Sequence, residues 1–153
     1  MYETLIIFER NQFLLFDFNA NKSWQVGDVE SNDISIAEDS CITMIDNEKY
    51  RTNLCQAIVT GGFKMGQALS AVYTLGFSVI TTNAVESYVC NVLSELPEML
   101  EPRFMHQTVI VKGRTGSWQL VVAGGKSHAR SWHNTVWSLD LLPYFKTGLK
   151  KTR

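Results

Sequence analysis

The chain has 153 residues, of which 45% are hydrophobic and 19% are charged, and its formal net charge at pH 7 is −1. This length predicts a single domain, and the hydrophobic content is too high for a disordered chain and sufficient for a core. No apolar run approaches the roughly 18 residues of a membrane-spanning helix, so the sequence argues against a membrane protein.

The charge is distributed unevenly along the chain. Residues 1–101 carry 14 acidic and 5 basic groups, a net charge of −9, whereas residues 102–153 carry 9 basic groups and 1 acidic group, a net charge of +8. This division favours an acidic partner for the C-terminal half, head-to-tail self-association, or a complementary contact inside the molecule. An unevenly charged, solvated surface is the plainer alternative.

Short apolar runs rich in β-branched and aromatic residues alternate with turn residues along the whole chain. This pattern predicts β-strands and no helix. The predicted strands cover residues 4–9, 13–18, 24–29, 41–45, 54–60, 71–75, 88–93, 107–111, 118–123 and 135–141. The sequence therefore predicts an all-β protein.

Two glycine pairs occur in matching contexts. Gly61-Gly62 ends one apolar run, and Gly124-Gly125 ends another 63 positions later; a polar loop and a second apolar run follow each pair. This recurrence indicates an internal repeat, although two unrelated hairpin turns would also account for it. Glycine at these points allows positive φ angles and the close approach of another backbone.

The second copy carries further motifs. Arg103 and His106 precede its first strand, and residues 134–141 read Asn-Thr-Val-Trp-Ser-Leu-Asp-Leu. This order resembles a kelch repeat, in which an Arg and a His precede a double-glycine strand and an Asn-x-Val-aromatic-x-Leu-Asp strand. The first copy, from Cys41 to Phe77, is similar but lacks the Arg-x-x-His opening. The resemblance spans roughly residues 10–143.

The resemblance implies four-stranded antiparallel sheets that form the blades of a β-propeller. We therefore expect a kelch-like domain at 1–145, with a partial blade at 1–30, blades at about 38–97 and about 102–145, and a basic tail at 146–153. Kelch repeats span about 50 residues, so the longer offset predicts an insertion between Phe77 and Leu100. Because closed propellers have roughly four to eight blades, we expect a partial propeller, one completed by oligomerisation, or an open stack of sheets.

The sequence contains no motif typical of catalysis or of phosphate binding, such as Gly-x-Ser-x-Gly or His-Glu-x-x-His. Cys41, Cys55 and Cys90 lie singly within apolar runs, a pattern typical of buried, reduced thiols in a cytoplasmic protein. His106 is interpreted as a structural residue that hydrogen-bonds where the blade begins. We therefore predict no enzyme activity, no cofactor and no metal site.

The loop at residues 126–133 combines basic side chains with a tryptophan. Trp and Arg are enriched at binding hot spots, and loops on a rigid β-scaffold commonly carry function. In a kelch propeller this loop shares a face with the segment that opens the blade, and the resemblance therefore adds Arg103. The predicted partner-binding residues are Arg103, Lys126, His128, Arg130, Trp132 and His133.

The leading functional hypothesis is a protein-interaction scaffold that docks an acidic or extended segment of another protein. A kelch-propeller enzyme, or a small-ligand or sugar binder, is the alternative. A copper oxidase, for example, would need ligands such as Tyr73, Tyr88, Cys90 and His133 to converge. Nucleic-acid binding through the basic half is weaker, because Trp118 and Trp137 lie on predicted strands and are expected in the core.

Overall fold

The computed structural model describes residues 4–9, 12–17, 24–29, 36–45, 55–82, 85–114, 116–128 and 130–144. No helix occurs in these ranges, and the all-β prediction is confirmed. The predicted tail at 146–153 lies outside them. The strands are β1 Thr4–Glu9, β2 Gln12–Asp17, β3 Trp24–Val29, β4 Cys41–Ile45, β5 Cys55–Thr60, β6 Phe63–Lys64, β7 Gln67–Ala68, β8 Val72–Thr82, β9 Val85–Leu96, β10 Gln107–Lys112, β11 Trp118–Ala123, β12 Lys126–His128, β13 Ser131–Trp132 and β14 Val136–Asp140.

Seven strands form one sheet in the order β1-β2-β3-β9-β8-β5-β4, and β10-β11-β14 form a second sheet. Neighbouring strands of these sheets are antiparallel except for β3 and β9, which are parallel. The N-terminal strands therefore extend the sheet of the first copy instead of forming a separate sheet. Nothing in the described ranges is a helix long and apolar enough to cross a membrane.

The sequence repeat corresponds to a structural repeat. In the first copy, β5 is followed by the short hairpin β6–β7 and then by β8, which pairs with β5. In the second copy, β11 is followed by the hairpin β12–β13 and then by β14, which pairs with β11. The registers correspond as well, since Thr60 lies opposite Val72 and Ala123 lies opposite Val136.

The strands β8 and β9 are longer than the sequence predicts. They form one long antiparallel pair that extends to Thr82 and Val85, in the region where an insertion between Phe77 and Leu100 is predicted. The four strands of the two small hairpins are absent from the sequence prediction, because runs of two or three residues show no recognisable hydrophobic period.

The main core lies between the two copies. Alternation along β11 buries Leu120 and Val122 on the face that packs against the first copy. The buried members of this core are Ile45, Ile58, Val72, Leu96, Met99, Leu120, Val122 and Leu141. A second core, which includes Val59, Tyr73 and Cys90, lies on the opposite face of the first copy. Each fully buried aliphatic side chain contributes roughly 1.5–3 kcal/mol, so packing of the copies is a major source of stability.

Candidate protein-binding site

The segment Pro102–His106, which we call the crossing segment, passes between the two glycine pairs. A Cβ added to Gly61 would meet the carbonyl oxygen of Arg103 and would lie 2.8 Å from His106 Cε1. A Cβ added to Gly125 would lie 2.8 Å from both His106 Cβ and the Phe104 carbonyl oxygen. Both glycines also have positive φ angles, of +55° and +86°. One glycine of each pair, Gly61 and Gly125, is therefore required by the close passage of this segment.

The first copy has an equivalent of the crossing segment at residues 37–40. Glu38 forms an isolated bridge with Phe63, just as Phe104 does with Lys126. Asp39, the residue after Glu38, has a φ of 55°, which matches the φ of 53° at the residue after Phe104. The first copy thus retains this backbone path although it lacks the Arg-x-x-His motif.

Arg103 is buried, and its guanidinium group joins the two ends of the 126–133 loop. Its Nη1 donates to the carbonyl oxygens of Gly124, at 3.0 Å, and Thr135, at 2.9 Å. Its Nη2 donates to Glu101 Oε2 at 3.0 Å and to Thr135 Oγ1 at 2.5 Å. The sequence predicts Arg103 as a partner-binding residue, and the structure corrects its location. Because these loop-end acceptors hold the guanidinium group inside, it clamps the loop and is not exposed to a partner.

His133 is also anchored at this clamp. Its Nδ1 lies 3.2 Å from Glu101 Oε2, and its Nε2 lies 3.2 Å from the Pro102 carbonyl oxygen. Glu101 therefore contacts both Arg103 and His133. Residues 101–103 therefore lie beside the 126–133 loop.

Lys126, His128, Arg130 and Trp132 lie on the hairpin β12–β13. Trp132 is 68% exposed, which is unusual for so large an aromatic side chain. The Nζ atom of Lys126 lies 4.1 Å from the centroid of the Trp132 ring, within cation–π range. His128 and Arg130 are exposed. The hairpin therefore presents an aromatic surface with cationic groups around it.

Met65 belongs to the loop at residues 63–67, the less charged first-copy equivalent of the 126–133 loop. It lies in the turn of the hairpin β6–β7, which packs beside β12, and it is 93% exposed. Its φ is 51° and that of Gly66 is 81°, as in a type I′ turn, where Asn or Gly is preferred at the first position. Met65 therefore holds an exposed apolar side chain in a backbone conformation that is unfavourable for its residue type. The sequence signal was the Met-Gly pair in a two-residue turn.

His106 lies buried where the two copies meet. Its Nε2 is 2.7 Å from Thr60 Oγ1 of the first copy, while Nδ1 has no partner among the described residues. Burial, together with the positive charge of Arg103, lowers the pKa of His106 to about 4. The imidazole is therefore neutral at pH 7, as its structural interpretation requires.

This shift predicts that the stability of the protein falls in mild acid. The pKa of His106 is about 4 in the folded state and 6.5 in the unfolded state, so the unfolded chain binds the proton more tightly between these values. The stabilisation is complete above pH 6.5 and decreases by about 3 kcal/mol as the pH falls to 4. Urea unfolding at several pH values should show this slope. In His106→Gln, the decrease in stability between pH 6.5 and pH 4 should be smaller by about 3 kcal/mol. The same decrease in both proteins would contradict the assignment.

Among the described side chains considered for a copper site, His133 lies outside the core cluster that holds Tyr73 and Cys90. Tyr73 and Cys90 belong to the second core, and burial, aided by Cys90, raises the pKa of Tyr73 to about 12. His133 instead contacts Glu101, and the side chain of Tyr88 lies outside the described part of the chain. Within that part, no three His, Cys, Asp or Glu side chains form a group that could hold a metal ion.

A cleft of about 240 Å³ lies beside Gly61, with Lys64, Tyr73, Glu95 and Glu98 among its lining residues. Sites for small molecules usually occupy about 300–1,000 Å³, so this cleft is smaller than a typical ligand site. Trp118 and Trp137 pack against the main core as expected, which removes two of the aromatics considered for nucleic-acid stacking.

Comparison with protein-family models, with curated protein sequences and with solved structures finds no match for this chain.

Proposed function

We propose that this chain is a non-enzymatic protein-interaction scaffold whose two copies are kelch-type propeller blades. The partner docks on the surface made by the hairpins β6–β7 and β12–β13, which we call the docking surface. The observation that carries this proposal is the exposed Trp132, with Lys126 over its ring, on a loop that Arg103 clamps at both ends.

The chemistry of the docking surface favours an acidic segment. Trp132 and Met65 supply exposed apolar area, and Lys126 and Arg130 supply positive charge. The net charge of +8 on residues 102–153 attracts an acidic partner over a longer range. Because the clamp holds the loop before binding, docking loses little conformational entropy.

The spacing of the cysteines supports a cytoplasmic location. Cys41, Cys55 and Cys90 lie singly within apolar runs, a pattern typical of buried, reduced thiols. Reduced cysteines are typical of proteins in the reducing cytoplasm. We therefore place the scaffold there.

A selection from a random peptide library on the purified chain tests the docking surface. We expect enrichment of sequences rich in Asp and Glu, and a Trp132→Ala variant should bind them about 30-fold more weakly, the effect of a hot spot of about 2 kcal/mol. The matched control is Leu142→Ala, which removes another exposed apolar side chain and should leave affinity unchanged. Enriched peptides that lack acidic residues, or that bind both variants equally, would overturn the proposal.

A further inference from the structure

One face of the first copy is covered by the second copy. On this face Ile45 is 7% exposed and Val72 is 2% exposed, and both belong to the core between the copies. The backbone also participates, since the Gly62 N–H donates to the Arg103 carbonyl oxygen at 2.8 Å. The Arg103 N–H in turn donates to the Leu69 carbonyl oxygen at 2.9 Å.

The corresponding face of the second copy is exposed. Val136 lies opposite the residue before its glycine pair, as Val72 does in the first copy. Val111 corresponds to Ile45 in the same way, because each lies opposite the residue five positions before its glycine pair. Val136 is 67% exposed and Val111 is 37% exposed. These valines, with the exposed Val109 on the same face, form what we call the open face.

Gly124, beside the open face, has the geometry for a close contact that no described residue makes. Gly124 has a φ of +68°, similar to that of Gly61, yet a Cβ added there would meet nothing within 4 Å. The Gly125 N–H corresponds to that of Gly62, and it donates to no backbone acceptor among the described residues. The open face therefore has exposed valines, a glycine with a positive φ and a glycine N–H donor. The matching face of the first copy has the same features, and there the second copy covers them.

We infer that a second copy of this chain covers the open face, in a head-to-tail contact. The repeat favours this occupant, because the matching face of the first copy is covered by another unit of the repeat, which supplies apolar side chains and a carbonyl oxygen for the glycine N–H. The opposite net charges of the two halves, +8 for residues 102–153 and −9 for residues 1–101, favour a head-to-tail arrangement. Such a heterologous contact forms a ring if its rotation closes and a filament if it does not.

Sedimentation of the full chain over a range of protein concentrations tests this inference. We expect a mass above that of one chain, and we expect it to fall at about 1 M salt, where the Debye length is about 3 Å. Val136→Glu places a charge on the open face and should raise the dissociation constant about 10-fold or more. Val109→Glu, which alters another exposed position of the same face, should have the same effect.

Leu142→Glu is the matched control, because it adds the same charge in the same half of the chain at a position that is 59% exposed outside the open face. It should associate like the unaltered chain. A single-chain mass under all conditions, association that both open-face variants retain, or association that does not respond to salt would each overturn the inference. Since Trp132 is not on the open face, peptide binding should survive in Val136→Glu, and the two proposals can fail separately.

Discussion

Replacing Gly61 with alanine is expected to destabilise the protein by about 3 kcal/mol, the largest effect that we predict for replacing a glycine. A φ of +55° costs an L-residue roughly 1–2 kcal/mol. The new methyl group would also meet the Arg103 carbonyl oxygen and the His106 ring, and such overpacking costs typically 1–3 kcal/mol. Because the crossing segment is backbone held by hydrogen bonds to Gly62 and Leu69, it has little freedom to move away.

Gly124→Ala is the matched control for this substitution. Gly124 occupies the corresponding position with a φ of +68°, but an added Cβ would meet nothing within 4 Å. Its cost should be that of the backbone conformation alone, about 1–2 kcal/mol. Urea unfolding in dilute solution, where molecules are separate, measures both values. Equal losses for the two variants would show that the crossing segment does not restrict Gly61.

Replacing Arg103 with methionine is expected to cost about 3 kcal/mol, because an acceptor that loses its donor inside the protein costs roughly 1–3 kcal/mol and this substitution affects two of them. The substitution leaves the Gly124 and Thr135 carbonyl oxygens without the donors that the guanidinium group supplies. It also releases the two ends of the 126–133 loop, since these two residues flank it. Chemical denaturation should show the loss of stability, and hydrogen exchange should show faster opening of β12 and β13.

Two further substitutions separate the clamp from the effect of losing a positive charge. Arg114→Met removes an exposed arginine and should change stability by no more than about 0.5 kcal/mol. Arg103→Lys retains the charge but not the planar set of donors, so it should recover only part of the loss. If Arg103→Lys were as stable as the unaltered protein, the charge rather than the clamp geometry would be the important property.

The clamp connects stability to the proposed function. Trp132 is exposed and therefore gains little from packing within the protein. Its position depends on the loop in which it lies, and Arg103 joins the residues at both ends of that loop. A substitution at Arg103 should consequently weaken peptide binding without removing any atom from the docking surface.

Local features of the amino-acid sequence predict where most strands lie and where the repeat occurs. The bounds of β1, β3, β4 and β11 agree with the prediction, because a strand's alternation of side chains and its flanking turn residues are local properties. The glycine pairs were recognisable for the same reason, since a positive φ and a close backbone approach restrict the residue type at that position.

Which of the predicted site residues face solvent depends on contacts that form in the folded protein. Arg103 and Arg130 are indistinguishable as residue types, yet one is buried and the other is exposed. The difference arises from acceptors on Gly124 and Thr135, which are far from Arg103 in sequence. Likewise, Val72 and Val136 lie in matching positions, and only the presence of a covering copy makes one of them core. Burial depends on contacts between distant parts of the chain, and local sequence patterns do not contain that information.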